Sequence, residues 1–201
     1  VISPDSIEEY LIVEKPIHIE NKNLQIEVAY KLGKDKSNKE IIIPVSDSKL
    51  VVYFPTEKVT YLNFIIQGPY KTTPNRENIP LEDEQNRVIL EETANLVAES
   101  LLIIKNLGYL DVNFLNILPI KPEYKEQELI YSVIYDRVKE KLSTDKLLPT
   151  SHNKYAKANE VLLARGKELT EFLDSNDVQI LFPRKYWLDT NITQDKTPDL
   201  R

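Results

Sequence analysis

Up to Gln67 the apolar and polar residues alternate with the period of two that marks half-buried strands. In QIEVAYKL (Gln25 to Leu32), Ile26, Val28, Tyr30 and Leu32 fall on one face, while Gln25, Glu27 and Lys31 fall on the other. EYLIVEKP (Glu9 to Pro16) precedes it, and the polar GKDKSNK (Gly33 to Lys39) supplies a hairpin loop. EIIIPV, KLVVYFP and YLNFIIQ add further strands, so the expected sheet is antiparallel or mixed, with four to five strands. After Pro80 the period becomes helical. From Asn86 to Asn106, Leu90, Ala94, Val97, Leu101 and Ile104 form one apolar stripe, with Asn86 or Asp83 as cap and Gly108 just past the end. A short helix over Asp111–Leu118, limited by Pro119, and a third over Pro122–Leu142 follow. The stripe of the third is Ile130, Val133 or Ile134, Val138 and Leu142.

Beyond Lys146 the pattern is less regular. LLP, KYAKA and EVLLARG read as short strands or loop, KELTEFLD as a short helix, and DVQILFP as strand or helix. Trp187 is expected to be a packing residue. The fold class is therefore α+β: a sheet packed by a long helix over residues 1–120, then a smaller, mainly helical α/β part over 121–201.

Composition narrows the chemistry. The 201 residues are enough for one substantial domain or two small ones. No apolar run approaches the roughly 18 residues of a membrane span, and the start lacks a signal-peptide pattern. Without cysteine there is neither a disulfide framework nor a thiolate metal site, in keeping with a cytoplasmic location. His18 and His152 stand far apart outside any ligand spacing, so no metal is expected. A net charge of -6 disfavours a general nucleic-acid surface. Because the chain starts at Val1, contains no methionine and stops at TQDKTPDLR, we expect a piece of a longer protein, truncated at its C-terminus.

Four glycines leave no room for a phosphate-cradling loop or a dinucleotide fingerprint. Ser151 beside His152 lacks a nucleophile elbow and a third partner, so TSHNK reads as a solvated turn. The carboxylates at Glu82–Glu84 and Glu91–Glu92 read as solvated or dipole-matching. What stands out is QGPYKTTPNRENIP (Gln67 to Pro80), in a connection of roughly twenty residues from the strand that ends near Gln67 to the helix that begins near Asn86, longer than most connections in compact domains. Pro69, Pro74 and Pro80 stiffen it, and Lys71, Arg76 and Arg87 supply cations beside the hydroxyls of Thr72 and Thr73. Arg87, in the first helical turn, opposes the macrodipole by about 0.3 to 1 kcal/mol, a sign that a bound anion would reverse. Against an anion site, Glu82, Asp83 and Glu84 already supply negative charge, and a mixed cluster of this kind is more often a solvated face.

The stretch from Leu50 to Leu101 resembles a segment of large prokaryotic proteins that carry a GHKL-type (histidine kinase-like) ATPase domain of the sacsin and heat-shock-chaperone kind. FPTEK (Phe54 to Lys58), QGPY (Gln67 to Tyr70) and TTPxRxxIP (Thr72 to Pro80) carry the match, and ITQDKTPDLR at the end is also similar to that family. The resemblance implies a middle, or transducer, region with a ribosomal protein S5 domain 2-like fold. Its ATPase domain would lie upstream, since the signature Asp-x-Gly-x-Gly turn is not in this chain.

The implied function is to couple ATP binding and hydrolysis next door to conformational change, through a basic loop that reaches the terminal phosphate. By position that role falls to Arg76 or Arg87, with Lys71 as helper and Thr72 and Thr73 alongside. The family's loop pattern favours Arg76; the chaperone's arginine, directly at a helix start after a Leu-Pro-Leu run, favours Arg87. No complete catalytic set is present, so the chain alone is expected to be inactive and to bind no cofactor, with ATP and Mg belonging to the intact protein. Expected partners are the upstream ATPase domain, protein clients and, in an oligomer, further copies. A non-catalytic interaction scaffold, in which Thr72 and Thr73 are turn residues, is the main rival; a DNA-linked ATPase module is a third reading.

Overall fold

The period-two pattern is realised as a sheet whose longest strands form one hairpin. The computed structural model describes residues 2–3, 6–151, 154–164 and 167–192. His152 and most of ITQDKTPDLR lie outside the described residues. A short antiparallel pair, β1 (Ile2–Ser3) and β2 (Ser6–Ile7), precedes β3 (Tyr10–Ile19) and β4 (Lys22–Lys34). β3 and β4 run antiparallel from Tyr10 opposite Lys31 to Ile19 opposite Lys22. Glu20 and Asn21 join them, both at left-handed φ (49° and 61°), the geometry a two-residue hairpin turn requires.

β5 (Glu40–Ile42), β6 (Lys49–Val52), β7 (Phe54–Val59) and β8 (Ile65–Gln67) complete a six-stranded sheet of order β3-β4-β8-β6-β7, with β5 paired to β4. Its named pairs are antiparallel except β6 with β8, which run parallel at Val51 and Gln67. The class is α+β with a mixed sheet, as expected, but with six strands rather than four to five. KLVVYFP is not one strand: the chain reverses at Tyr53, at φ 57°, so that Val52 lies opposite Phe54. Period-two patterning continues through such a reversal and hides it.

One face of the sheet carries Ile26, Val28 and Tyr30, all fully buried, and α1 (Glu84–Asn106) packs on it. Asp83 is the cap, its carboxylate accepting from the N–H groups of Gln85 and Asn86, and Gly108 follows the helix at φ 83°. The predicted stripe Leu90, Ala94, Val97, Leu101 and Ile104 is buried throughout. Each of these leucines, isoleucines and valines removed from water contributes about 1.5 to 3 kcal/mol before entropy is counted. The same face also buries three polar residues at heptad spacing, Asn86, Thr93 and Ser100. Ser100 bonds the Tyr30 hydroxyl (2.7 Å) and Thr93 the Tyr70 hydroxyl (2.9 Å), so each buried polar group has its partner.

α2 (Val112–Leu115) is shorter than expected, one turn capped by Asp111. The third expected helix is two: α3 (Pro122–Lys125) and α4 (Leu129–Thr144). The break lies at Glu128, which takes extended backbone, caps Ile130 and forms an ion pair with Lys58 of β7 at 2.7 Å. That tertiary pair, with Glu128 only 8% exposed, holds a cap where the pattern alone runs on. α4 buries Ile130, Tyr131, Ile134 and Val138, choosing Ile134 over Val133, and lies along α1.

The remainder is a set of short elements. β9 (Leu148–Pro149) pairs antiparallel with β10 (Tyr155–Ala156), and β11 (Val161–Leu162) pairs parallel with β12 (Tyr186–Trp187). Between them lie a 3-10 turn (Ala158–Glu160), α5 (Lys167–Phe172) and α6 (Ser175–Leu181), which makes DVQIL of DVQILFP helix, with Phe182 as its C-cap. Trp187 is buried and donates from Nε1 to the Leu173 carbonyl, as a packing residue does. One hydrophobic cluster runs from Val13 through α1 and α4 to Leu147 and Ile192. Among the described residues no helix is long and apolar enough to cross a membrane.

Candidate functional site

The loop between β8 and α1, residues 68–83, is anchored before it is displayed. Tyr70 and Ile79 plug into the core at 4% and 3% exposure. Gly68 is required by the first plug, since a Cβ there would stand 2.8 Å from the Tyr70 ring. Between the plugs, the buried Asn86 amide acts as a clamp. Its Oδ1 accepts from Lys71 N–H (2.8 Å), and its Nδ2 donates to the carbonyls of Lys71 (2.9 Å) and Pro80 (2.8 Å). One side chain thus satisfies backbone groups at both ends of the loop.

The loop then folds over the outer strand of the sheet. Glu57 of β7 donates its N–H to the Arg76 carbonyl at 3.1 Å, so an otherwise open sheet edge is covered at that point. Arg76 itself adopts left-handed backbone, φ 57°. Its Nη2 donates to the carbonyls of Val52 and Phe54, both at 3.0 Å. Those two carbonyls flank Tyr53, the residue at which β6 turns into β7. A bulky residue at positive φ is strained by about 1 to 2 kcal/mol, and the guanidinium braces it. The turn so braced shows Tyr53 and Phe54 to solvent at 74% and 73% exposure.

The other expected site residues divide in the same way. Thr73 closes the turn: its N–H donates to the Asn78 carbonyl (2.9 Å), its hydroxyl meets Asn75 Oδ1 (2.7 Å), and its own carbonyl accepts from Arg76 N–H. Thr72 is half-buried, and its hydroxyl has no hydrogen bond among the described residues. Lys71 reaches Asp83 Oδ2 at 2.9 Å. This hydrogen bond raises the lysine above its ordinary value and holds the Asp83 carboxyl below the usual carboxylate range, where the N–H groups of Asn86 and Gln85 assist. Burial pushes the Tyr70 hydroxyl well up, so it stays protonated and bonded to Thr93.

Arg87 is different. It is exposed in the first turn of α1, and its guanidinium has no hydrogen bond or ion pair among the described residues. Neighbouring carboxylates do not claim it: Asp83 holds Lys71, and Glu91 meets Arg137 at 3.3 Å. The structure therefore uses Lys71 and Thr73 in bonds within the loop, ties Arg76 to the β6–β7 turn, and leaves Arg87 open at the rim. Among the described residues no cluster of three or more His, Asp or Glu stands where it could hold a metal.

Two features escaped the reading of residue types. Asn86 was visible only as a possible cap, yet it continues the apolar stripe four residues before Leu90, and a polar residue on a buried face is the signal of a clamp. The aromatic tip at Tyr53 and Phe54 has no such signal, because KLVVYFP reads as one strand. No family model, curated protein or solved structure matches the chain.

Proposed function

We propose that this chain is the middle, transducer module of a GHKL-type ATPase of the sacsin and heat-shock-chaperone kind, with a ribosomal protein S5 domain 2-like fold. In this reading Arg87 is the cation it presents to the terminal phosphate of ATP, with Mg, in an upstream domain. The observation that carries the proposal is the Arg87 guanidinium, exposed in the first turn of a 23-residue helix and without a hydrogen bond or ion pair among the described residues, beside a loop whose other cations are held by Asp83 and by the β6–β7 turn. A helix start with an arginine suits an anion, and a cation delivered across a domain boundary stabilises charge developing on the transferred phosphoryl group. Hydrolysis then depends on docking, and the stiff loop and helix move as one body with the nucleotide state. Arg76 serves this role indirectly, by holding the loop on the sheet edge.

The test is ATP turnover by the full-length protein. Arg87→Ala should lower it by about a thousandfold or more, as loss of an arginine supplied to a phosphoryl transfer does. Turnover at the wild-type rate would remove the proposal. The interaction-scaffold reading is favoured by a separate observation, the solvent-exposed Tyr53 and Phe54, because aromatic anchors of this kind concentrate binding energy at protein interfaces. Under it, Phe54→Ala abolishes partner capture by the full-length protein and leaves ATP turnover alone.

A further inference from the structure

A second site lies between the far end of the sheet and the helical layer. Tyr61, Tyr124 and Tyr131 line a half-open pocket of about 300 Å³, the lower end of the range small-molecule sites occupy. Tyr61 stacks on Tyr124 with centroids 4.9 Å apart and planes at 21°, and Tyr124 meets Tyr131 edge-on at 5.6 Å. Tyr61 is held at φ 58°, a conformation a bulky residue adopts only at a cost, and Asp47 on the same pocket is at φ 52°.

The polar groups in this pocket are incompletely used. Asp47 has no hydrogen bond or ion pair among the described residues, and neither does the Lys121 ammonium, which lies 5.7 Å from the Tyr124 centroid. One carboxylate and one ammonium thus line a single pocket without forming an ion pair with each other. Tyr131 as a residue is 2% exposed; its hydroxyl accepts from the Lys121 N–H at 2.9 Å, while its own proton has no acceptor among the described residues. Burial pushes this hydroxyl up to about 12, so it remains a donor at neutral pH. Val45, Val59 and Ile120 supply apolar wall.

We propose that this pocket binds a small zwitterion with an apolar side chain, an α-amino acid, its ammonium on Asp47 and its carboxylate on Lys121 and the Tyr131 hydroxyl. The charges determine the class. A simple cation would meet Lys121 and a simple anion would meet Asp47, whereas a molecule carrying both charges satisfies both groups. Tyrosine faces favour the ammonium end further. This site is independent of the loop and of any nucleotide.

The test uses the 201-residue chain with L-leucine, L-phenylalanine, N-acetyl-L-leucine and L-leucinamide, read by ligand-observed NMR and calorimetry. At least one of the two free amino acids should bind. For leucine, removing either charge by acetylation or amidation should weaken binding by about tenfold or more, the effect of losing a charge-assisted hydrogen bond. Asp47→Asn should weaken free leucine while leaving N-acetyl-L-leucine unchanged, and Lys121→Gln should weaken leucine while leaving L-leucinamide unchanged. Tyr131→Phe, which keeps the ring, should weaken leucine with the circular-dichroism spectrum preserved. Equal binding of the capped and free forms would overturn the assignment. So would absence of binding by both free amino acids at up to about 10 mM with the chain folded.

Discussion

Arg76 and Arg87 carry the same charge on the same loop-to-helix junction, yet one faces inward onto two carbonyls and the other has no partner among the described residues. The difference lies in what each meets. Where β6 turns into β7 at Tyr53, the carbonyls of Val52 and Phe54 converge on one point, and the planar fork of an arginine satisfies both. At the helix start the orphan N–H groups are already capped by Asp83, which is itself held by Lys71, so nothing there draws Arg87 in. Availability of a cation is decided by the local supply of unsatisfied acceptors, and a count of charges along a loop does not reveal it.

The contrast can be broken most forcefully at the clamp both arginines depend on. Asn86→Leu leaves the Lys71 N–H and the carbonyls of Lys71 and Pro80 unpaired, which should cost about 3 to 5 kcal/mol and lower Tm by about 10 °C in thermal melts. Arg76→Ala should cost about 1.5 to 3 kcal/mol in urea titrations, with faster amide exchange at Glu57 and around Tyr53. Tyr53→Gly goes the other way: the residue is exposed and at positive φ, so the variant should gain about 1 kcal/mol in the same titration. If it destabilises instead, the ring has a packing role.

Acid offers a milder probe. Because the Asp83 carboxyl is depressed by Lys71, its contribution is in place above the ordinary carboxylate range and disappears as pH falls through the depressed value. Amide exchange at Gln85 and Asn86, whose N–H groups it accepts, should therefore rise at acid pH before exchange in β3 and β4 does. The smallest effect is the sharpest for the comparison. Arg87→Ala should leave Tm unchanged or raise it by about 1 to 3 °C, since the guanidinium makes no hydrogen bond or ion pair among the described residues and opposes the macrodipole of α1; a clear loss of Tm would mean it is a structural cation like Arg76.

The sheet face of β4, the stripe of α1, the cap as one of two candidates, Asn86 or Asp83, and the glycine after the helix were legible because each rests on local periodicity or local backbone chemistry. The break at Glu128 was not, because the partner that holds it, Lys58, is distant in sequence. The loop itself was legible from its prolines and its length, whereas the direction of each cation in it was not. Tyr61 and Tyr124 illustrate the same limit: they are far apart along the chain and stack only once α3 lies against the end of the sheet.

What the chain determines by itself is therefore the set of elements and their buried faces, since hydrophobic spacing and capping act between neighbours a few residues apart. Tertiary structure alone decided that Tyr53 is a reversal, that Asn86 is a clamp, and that Arg76 closes inward while Arg87 stays open. Each of those outcomes depends on backbone acceptors and donors that come together only after the sheet and the long helix have packed.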